Sequence, residues 1–570
     1  MVDIIFRPDQ RTEAAAAPGS NRARIWTMVV ACMGVTLVIA SMVALNTALG
    51  DIAVATSATQ SQLTWIVDCY SVALACLLLP AGAIGDRYGR RGAFLIGLAT
   101  FAIGSFASTV FTSPVQLIVA RGVAGAGAAF IMPATLSLLT ATHREDQRAK
   151  ATGIWAGVAG CGAVIGMLGS GTLLHFWSWR SIFWAFAGFA LLIFVLACTV
   201  SSSRDDQATP LDWAGAGLIA GAVAVFVFGV LEAPARGWTH PLVYGSMSVG
   251  VALAVAFGSV EARRRHPLLD VRLFRRPDFA TGSATITVFF MAMFGFFFVI
   301  MQYIQLVMGY SPIQTAFALS PLMAPMLTLS VLSPWYLPRM GLRLVVFLGL
   351  VLISAGFLWM RVLQINSPYW DMMWPLLVMS TGIGFCTAPS TLAIMTAVPD
   401  EKQGVASAVN DTTREVGAAL GIALAGSILA ARYAHVLTPH LAAFPGPVRA
   451  PASHSLAQAL EISKSLGPQG RQLIELSQTA FLQAMESSML VMGLIIAIAA
   501  LVIGAWAPGR DGRQLRPIRR LISLRRADGA GRHRPLTSAD ELGRPVAEHD
   551  DAGVRAATGD PRQDRSVDHP

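Results

Sequence analysis

The sequence predicts an all-α polytopic membrane protein: two six-helix bundles with two extra helices between them, about fourteen spans in all. Three observations predict it. Of 570 residues, 54% are hydrophobic and only 13% are charged, with a mean hydropathy of +0.58. An ordinary soluble chain is about a quarter charged, so a soluble enzyme is excluded. The apolar residues gather in runs of roughly 20, the length at which a helix rising ~1.5 Å per residue crosses a ~30 Å hydrocarbon core. Finally, the stretch from Asp86 to Gly97 recurs from Pro338 to Gly349 with its Arg, Gly, Arg and final Gly in register, which makes spans one to six a repeat of spans nine to fourteen.

The spans follow in order. A polar segment, residues 1–26, precedes the first run, Thr27–Leu49, which is too long for a signal-peptide core and lacks a convincing cleavage site. It is expected to remain as the first span. Leu63–Gly85, Ala93–Phe111, Val115–Thr140, Ala151–Leu174 and Ser181–Val200 complete an N-terminal bundle over residues 27–200. Leu211–Leu231 and Pro241–Val260 form an insert that leads into a linker, together residues 201–277. The C-terminal bundle, 278–507, holds Phe279–Tyr303, Pro312–Leu337, Leu344–Leu363, Met372–Val398, Gly404–Ala431 and Ser487–Trp506, with a long loop at 432–486. The tail, 508–570, is rich in Arg, Asp, Gly and Pro and is expected to be disordered. Its first stretch, Arg513 to Arg526, interleaves arginine with Leu and Ile and suits an anionic membrane surface.

Orientation follows from the arginines. The even-numbered turns carry Arg87, Arg90 and Arg91, then Arg144, Arg148 and Lys150, then Arg263–Arg265, then Arg339 and Arg343, then Lys402. The turns after the first, third, ninth and eleventh spans carry no Lys or Arg. Positive loops stay inside, so both termini are expected in the cytoplasm and loop 432–486 in the periplasm. The net charge of +9 is therefore a topology signal rather than a nucleic-acid footprint. Lysine occurs only at Lys150, Lys402 and Lys464 while Arg, Ala and Gly abound, a bias of GC-rich bacterial genomes. No cysteine stands at metal-ligand spacing from another Cys or a His, and no nucleotide loop, nucleophile elbow or metal box is present. Neither cofactor nor metal is expected.

Several motifs carry a family resemblance. Gly82-Ala83-Ile84-Gly85-Asp86-Arg87-Tyr88-Gly89-Arg90-Arg91 closely resembles the signature loop between helices two and three of the major facilitator superfamily. Leu117 to Gly125 is similar to the helix-four motif with its intramembrane arginine, Arg121. Asn46-Thr47-Ala48-Leu49, Trp65 to Tyr70, Ser178-Trp179-Arg180, Pro267 to Phe274, Gln302 to Gln305 with Gly309 to Pro312, and Ser407 to Gly417 resemble the fourteen-helix drug:proton antiporter family, over roughly Arg24 to Trp506. That resemblance implies the major facilitator fold, export of cationic or amphipathic compounds in exchange for protons, and a conformational latch at Gly82, Gly85, Asp86, Arg87, Gly89, Arg90 and Arg91. The chain departs from the family at two places. Ser41 and Gly50 stand where helix one often carries Asp and Pro. In helix five, Gly162, Gly166, Gly169 and Gly171 are present, but Met167 takes the place of the family's Pro.

Charges near the bilayer centre cost several kcal/mol, so such residues face the bundle interior and find partners. Asp68 and Arg121 both lie ~8 to 9 Å into their spans at ~1.5 Å per residue, a depth at which they can meet. Asp68 reads either as the proton carrier with Arg121 tuning it, or as half of a fixed ion pair. In the thirteenth span Asn410 and Arg414, and Asp411 and Glu415, are four apart, on neighbouring strips of one helix. This cluster reads as a second proton or cation site, or as a self-compensating gate packed on the other half. Asn46, Trp65, Tyr70, Trp155, Phe290 and Asn410 are candidates for a substrate pocket, with interfacial packing as the commoner fate of such aromatics. His143, His175 and His266 fall in or beside loops and are expected to be exposed. The partners implied are a small-molecule substrate, protons and the lipid bilayer, with no nucleic acid, for a chain expected to act as a monomer. Beside multidrug export stand export of one endogenous natural product, and a receptor or scaffold that kept the fold without turnover.

Overall fold

The computed structural model describes residues 21–58, 60–201, 212–264, 267–399 and 402–510. The expectations for the tail beyond 510, for the segment before 21 and for His266 lie outside the described residues. Thirteen described helices are long and apolar enough to cross a membrane. The longest stretch, Ile313–Val362, holds two of the expected spans, because the backbone breaks inside it at Gly341, where φ is 77° and only glycine sits without strain. The fourteen expected spans are thus all present. They are α1 (Asn21–Ala44), α2 (Gln60–Tyr88), α3 (Arg90–Val110), α4 (Pro114–Thr142), α5 (Glu145–Phe176), α6 (Arg180–Ala197), α7 (Trp213–Arg236), α8 (Pro241–Glu261), α9 (Pro277–Gln302), α10 (323–340), α11 (342–359), α12 (Tyr369–Thr396), α13 (Gln403–Leu437) and α14 (Pro468–Trp506).

Local sequence sets several helix starts. Ser113 precedes Pro114 and forms a capping box with Gln116, and Ser311 does the same with Pro312 and Gln314, so orphan N–H groups are satisfied where proline fits the first turn. Asp212 caps α7 by accepting from the Gly215 N–H at 2.9 Å. At the same end of the α7–α8 hairpin, where α8 finishes, Arg264 pairs with Asp212 at 2.7 Å and buried Glu261 accepts from the Leu269 N–H. The Pro267 to Phe274 segment is thereby tied to the hairpin that it leaves.

Close helix packing depends on small residues. In α5, a Cβ on Gly162 would lie 3.0 Å from Ile39, and one on Gly166 would lie 2.6 Å from the Ala40 backbone of α1. In α13, Gly417 and Gly421 meet α9 the same way, where a methyl would strike the carbonyl oxygens of Thr287 and Met291. Gly162-Ala163-Val164-Ile165-Gly166 in the fifth span and Gly417-Ala418-Ala419-Leu420-Gly421 in the thirteenth share one pattern, Gly-Ala followed three residues later by Gly, and in the fold that pattern is a repeated contact: the fifth helix of each bundle lies flush on the first. The same two helices also cross between halves, α5 onto α10 through Gly153, Gly157 and Gly160, and α13 onto α2 through Gly404 and Gly82. Helix α5 runs unbroken through Met167, which supplies the backbone N–H that proline lacks. Gly169 has open space around it, and a Cβ on Gly171 would lie 3.8 Å from Ile313.

Three expectations are corrected. Residues 432–486 are largely helical: α13 continues to Leu437, short helices cover Gly446–His454 and Leu456–Ser463, and α14 begins at Pro468 rather than Ser487. The early part of α14 buries Leu473, Ala480, Phe481 and Ala484 among polar neighbours, an amphipathic pattern that a search for continuous apolar runs passes over. The first span ends at Ala44, not Leu49; the Thr47 hydroxyl donates to the Ala44 carbonyl at 2.7 Å and a 3₁₀ turn follows. His143 is buried at the end of α4, with Nδ1 2.8 Å from the Leu139 carbonyl, and desolvation holds its pKa below the ordinary histidine value. His175 is exposed.

Candidate functional site

Among the described residues, Arg121 and Arg414 are the most deeply buried arginines, each 2% exposed, with Arg90 at 3%. Arg121 of α4 donates through Nε to the Ile66 carbonyl at 3.2 Å, through Nη1 to the Ser41 hydroxyl at 3.0 Å and through Nη2 to the Ser41 carbonyl at 3.3 Å. Its plane lies 4.2 Å over the Tyr70 ring, whose hydroxyl donates to the Val38 carbonyl. No carboxylate stands among these partners. Where the family's first helix often carries an acid, this chain satisfies the guanidinium with a hydroxyl and two carbonyls.

Asp68 does not meet Arg121, which corrects the expected pair. Depth along two helices does not say which way a side chain points. Ile66 and Tyr70, one turn apart, form the strip of α2 that faces Arg121, and Asp68 lies roughly 200° round the helix from Ile66. Its own strip faces the insert: Trp65 stacks on Phe228 of α7 at 5.7 Å, and Val72 packs with Val227 and Val230. The charged neighbour that acts on Asp68 is Glu232, itself paired with Arg236 at 2.5 Å. Glu232 lies one residue beyond the apolar run that ends at Leu231, so run length alone does not mark it as an intramembrane acid.

The cluster in α13 does assemble. Arg414 Nη1 lies 3.8 Å from Asp411 Oδ1, Arg414 Nη2 donates to Thr391 Oγ1 at 3.3 Å, and Asn410 Nδ2 donates to Asp411 Oδ1 at 3.1 Å. Arg414 also lies 4.8 Å over the Trp155 ring of α5 and 5.2 Å over the Phe290 ring of α9. Trp155 is held in place by its Nε1, which donates to Thr135 Oγ1 at 3.2 Å. Glu415, one turn beyond Asp411, is buried and acts electrostatically on Tyr70 of α2. Among the described residues, Arg414 Nε and Nη1, Asp411 Oδ2 and Asn410 Oδ1 are buried without a hydrogen-bond partner. The set therefore joins two acids, one arginine and two rings from different helices, with polar valences left open. Ser41, Thr135 and Thr391 carry no sequence signal of their own for these roles.

At the arginine-rich end, Asp86 bridges the halves. Its carboxylate accepts from the Gly404 N–H at 2.9 Å and the Val405 N–H at 3.0 Å, at the start of α13, and from Arg90 Nε at 3.0 Å. A carboxylate at a helix N-terminus meets free N–H groups and the positive end of the dipole. Gly82 lets the helices touch, since a Cβ there would sit 2.5 Å from the Gly404 carbonyl, and Gly85 stands 3.3 Å from Ala93 by the same measure. Gly89 turns the chain at φ 115°. Arg87 lies over Tyr88, and Arg91 donates to the Val200 carbonyl at 3.1 Å. In the second copy of the loop, Arg343 donates to the Ala507 carbonyl at 2.8 Å. The last arginine of each copy thus caps the sixth helix of its own bundle, while only the first copy carries the acid that reaches across.

The proposed pocket residues separate. Trp155 and Phe290 converge on Arg414, Asn410 bonds to Asp411 beside it, and Phe290 stacks on Phe294 at 6.0 Å. Tyr70 is packed under Arg121, and Trp65 belongs to the seam with α7. The side chain of Asn46 lies outside the described residues.

Residues 26–422 match the sequence pattern of the Major Facilitator Superfamily. The chain is 31% identical to the Multidrug resistance protein Stp of Mycobacterium tuberculosis, over 86% of this chain and 93% of that protein. It is 28% identical to the Tetracenomycin C resistance and export protein of Streptomyces glaucescens, over 87% of this chain and 94% of that one. Among solved structures, the proton:xylose symporter XylE superposes with a TM-score of 0.53 at 12% identity, covering 87% of this chain and 98% of XylE. The last likeness speaks for the fold alone.

Proposed function

The chain belongs to the Major Facilitator Superfamily, a transporter family, and from that premise we propose that it exports small amphipathic or cationic compounds across a bacterial cytoplasmic membrane in exchange for protons. Relatives whose names describe multidrug resistance and antibiotic export support the export. The arginine-rich turns support a cytoplasmic place for that end and for both termini. In this reading the chain acts as a monomer in the bilayer.

The observation that carries the coupling is the charge of the α13 cluster. Asp411 and Glu415 both ionised beside Arg414 leave one net negative charge, buried where charge is costly. One proton neutralises it, and so does one cationic substrate. The two therefore exclude each other at the same site, which is the condition for exchange. Asp86 supplies the second requirement: while it holds the start of α13, the cytoplasmic end is closed, and its release opens that end. Movement of α13 then carries the cluster with it. One proton moving down ~100 mV supplies ~2.3 kcal/mol, and a one-unit pH gradient adds ~1.4 kcal/mol, enough for a substrate gradient of roughly several hundredfold. Asp68, in the seam with α7 beside Glu232, is the alternative acid for the coupling proton.

Growth of an efflux-deficient host expressing the chain, challenged with a panel of dyes and antibiotics, tests the export. A host no more resistant than its control, with the protein present in the membrane, defeats the reading. The relative named for tetracenomycin C export favours a narrower reading, a dedicated exporter of one natural product, which the same panel separates by its breadth.

A further inference from the structure

Arg414 is held in an unusual way for a buried cation. Its exposure is 2%, yet Nε and Nη1 have no hydrogen-bond acceptor, Nη2 has one at 3.3 Å, and the nearest acid is 3.8 Å away. The enduring contacts of its flat guanidinium are the faces of Trp155 and Phe290. Those rings come from different halves of the bundle, and Phe290 continues into Phe294 as a stacked row. Beside them, Asp411 Oδ2 and Asn410 Oδ1 are buried acceptors with nothing to accept from. Two aromatic faces and two open acceptors, one of them on the acid Asp411, form a receptor for a planar cation that bears N–H groups.

We infer that Arg414 is a tethered occupant of the substrate site: its guanidinium covers, in the closed resting state, the ring faces that a planar organic cation takes during export. The inference rests on the export reading and adds how the site is kept filled. A buried pocket with two bare rings and an open acid would be costly when empty. The arginine fills it, and its scarcity of hydrogen bonds keeps the cost of leaving low. When a substrate cation displaces it, the guanidinium has only to close the gap to Asp411, three residues back on its own helix, for its charge to remain compensated. A guanidinium made fast by several acceptors, as Arg121 is, is unsuited to such exchange.

The test uses the full chain in lipid nanodiscs titrated with ethidium, a planar monocation, followed by fluorescence polarisation. Arg414→Gln removes the occupant and is expected to bind ethidium about tenfold more tightly than the unaltered chain. Adding Trp155→Leu to Arg414→Gln is expected to cancel that gain. Arg414→Lys, which keeps the charge and loses the plane, covers the case in which Arg414→Gln does not fold; it is expected to gain about threefold. Equal or weaker binding by the single variants overturns the inference. So does a gain that survives Trp155→Leu, because the effect then belongs to the charge removed from beside Asp411 and Glu415. Ethidium efflux from cells expressing the unaltered chain tests the export reading separately. Efflux without a binding gain defeats the tethered occupant alone, whereas a binding gain without efflux defeats the export reading.

Discussion

Arg121 and Arg414 are both nearly sealed from solvent, both lie over aromatic rings, and each sits in a helix of a different half. They are held in opposite ways. Arg121 spends its donors on Ser41 and Ile66 and has no acid among those partners. Arg414 has one long hydrogen bond, two acids on its own helix and open valences around it. A guanidinium with matched neutral acceptors has a single favourable position and pins α4 to α1 and α2. One that balances acids has its energy set by whether those acids carry a proton. In the proposed mechanism the N-terminal half is thereby the rigid reference, and the C-terminal half holds the part that responds to proton and ligand.

The largest effect is expected where the response is removed. With Asp411→Asn, Arg414 and Glu415 cancel and no proton is needed for neutrality. Accumulation in vesicles under an imposed pH gradient should fall from roughly several hundredfold to none, while exchange of labelled for unlabelled substrate persists. Retained accumulation in this variant, together with its loss in Asp68→Asn, would move the coupling to α2 and break the comparison.

Stability should separate the two arginines next. Arg121→Gln removes three bonds from a buried guanidinium, to the Ser41 hydroxyl and to the Ser41 and Ile66 carbonyls, and is expected to cost about 3 kcal/mol. Arg414→Gln leaves Asp411 and Glu415 without their cation, so its cost, about 3 kcal/mol or more while both acids are ionised, is expected to shrink as the pH is lowered and they take up protons. Thermal unfolding of the detergent-solubilised proteins across pH measures both; a cost of Arg414→Gln that is as independent of pH as that of Arg121→Gln would mean that Arg414 does not balance the acids.

Asp86→Asn reaches the same contrast through the latch. The neutral amide keeps the shape but weakens its bonds to Gly404 and Val405 N–H and to Arg90, so transport should drop about tenfold with expression and substrate binding nearly normal. Full activity would leave the loop a topology signal only.

Ser41→Asp is expected to matter least. It gives Arg121 a carboxylate in place of the hydroxyl 3.0 Å away, but with coupling in α13, as proposed, the pH profile of transport should keep its midpoint and its rate should change by less than about twofold. A shift of the midpoint by a full pH unit would show that the two halves share the proton.

Much of this was legible in the chain itself. Span length, the arginine-bearing turns and the loop repeat foretold fourteen helices in two related bundles, because those features answer to the bilayer, which acts on every segment in the same way. The set Asn410, Asp411, Arg414 and Glu415 was also readable, since residues three and four apart on one helix are neighbours wherever the helix lies. The helical character of 432–486 was not, because its apolar residues are spread round an amphipathic pattern rather than gathered in a run. Nor was the partner of Arg121. Equal depth suggested Asp68, but the rotation of α2 about its own axis turned Ile66 and Tyr70 toward α4 and Asp68 toward α7. That rotation is set by glycines and small side chains that let particular faces touch, and by Phe228 of the insert meeting Trp65. Sequence determined which residues ride on each helix and how deep they lie. Only the packing of helix on helix decided which of them face each other, since facing depends on contacts between segments far apart in the chain.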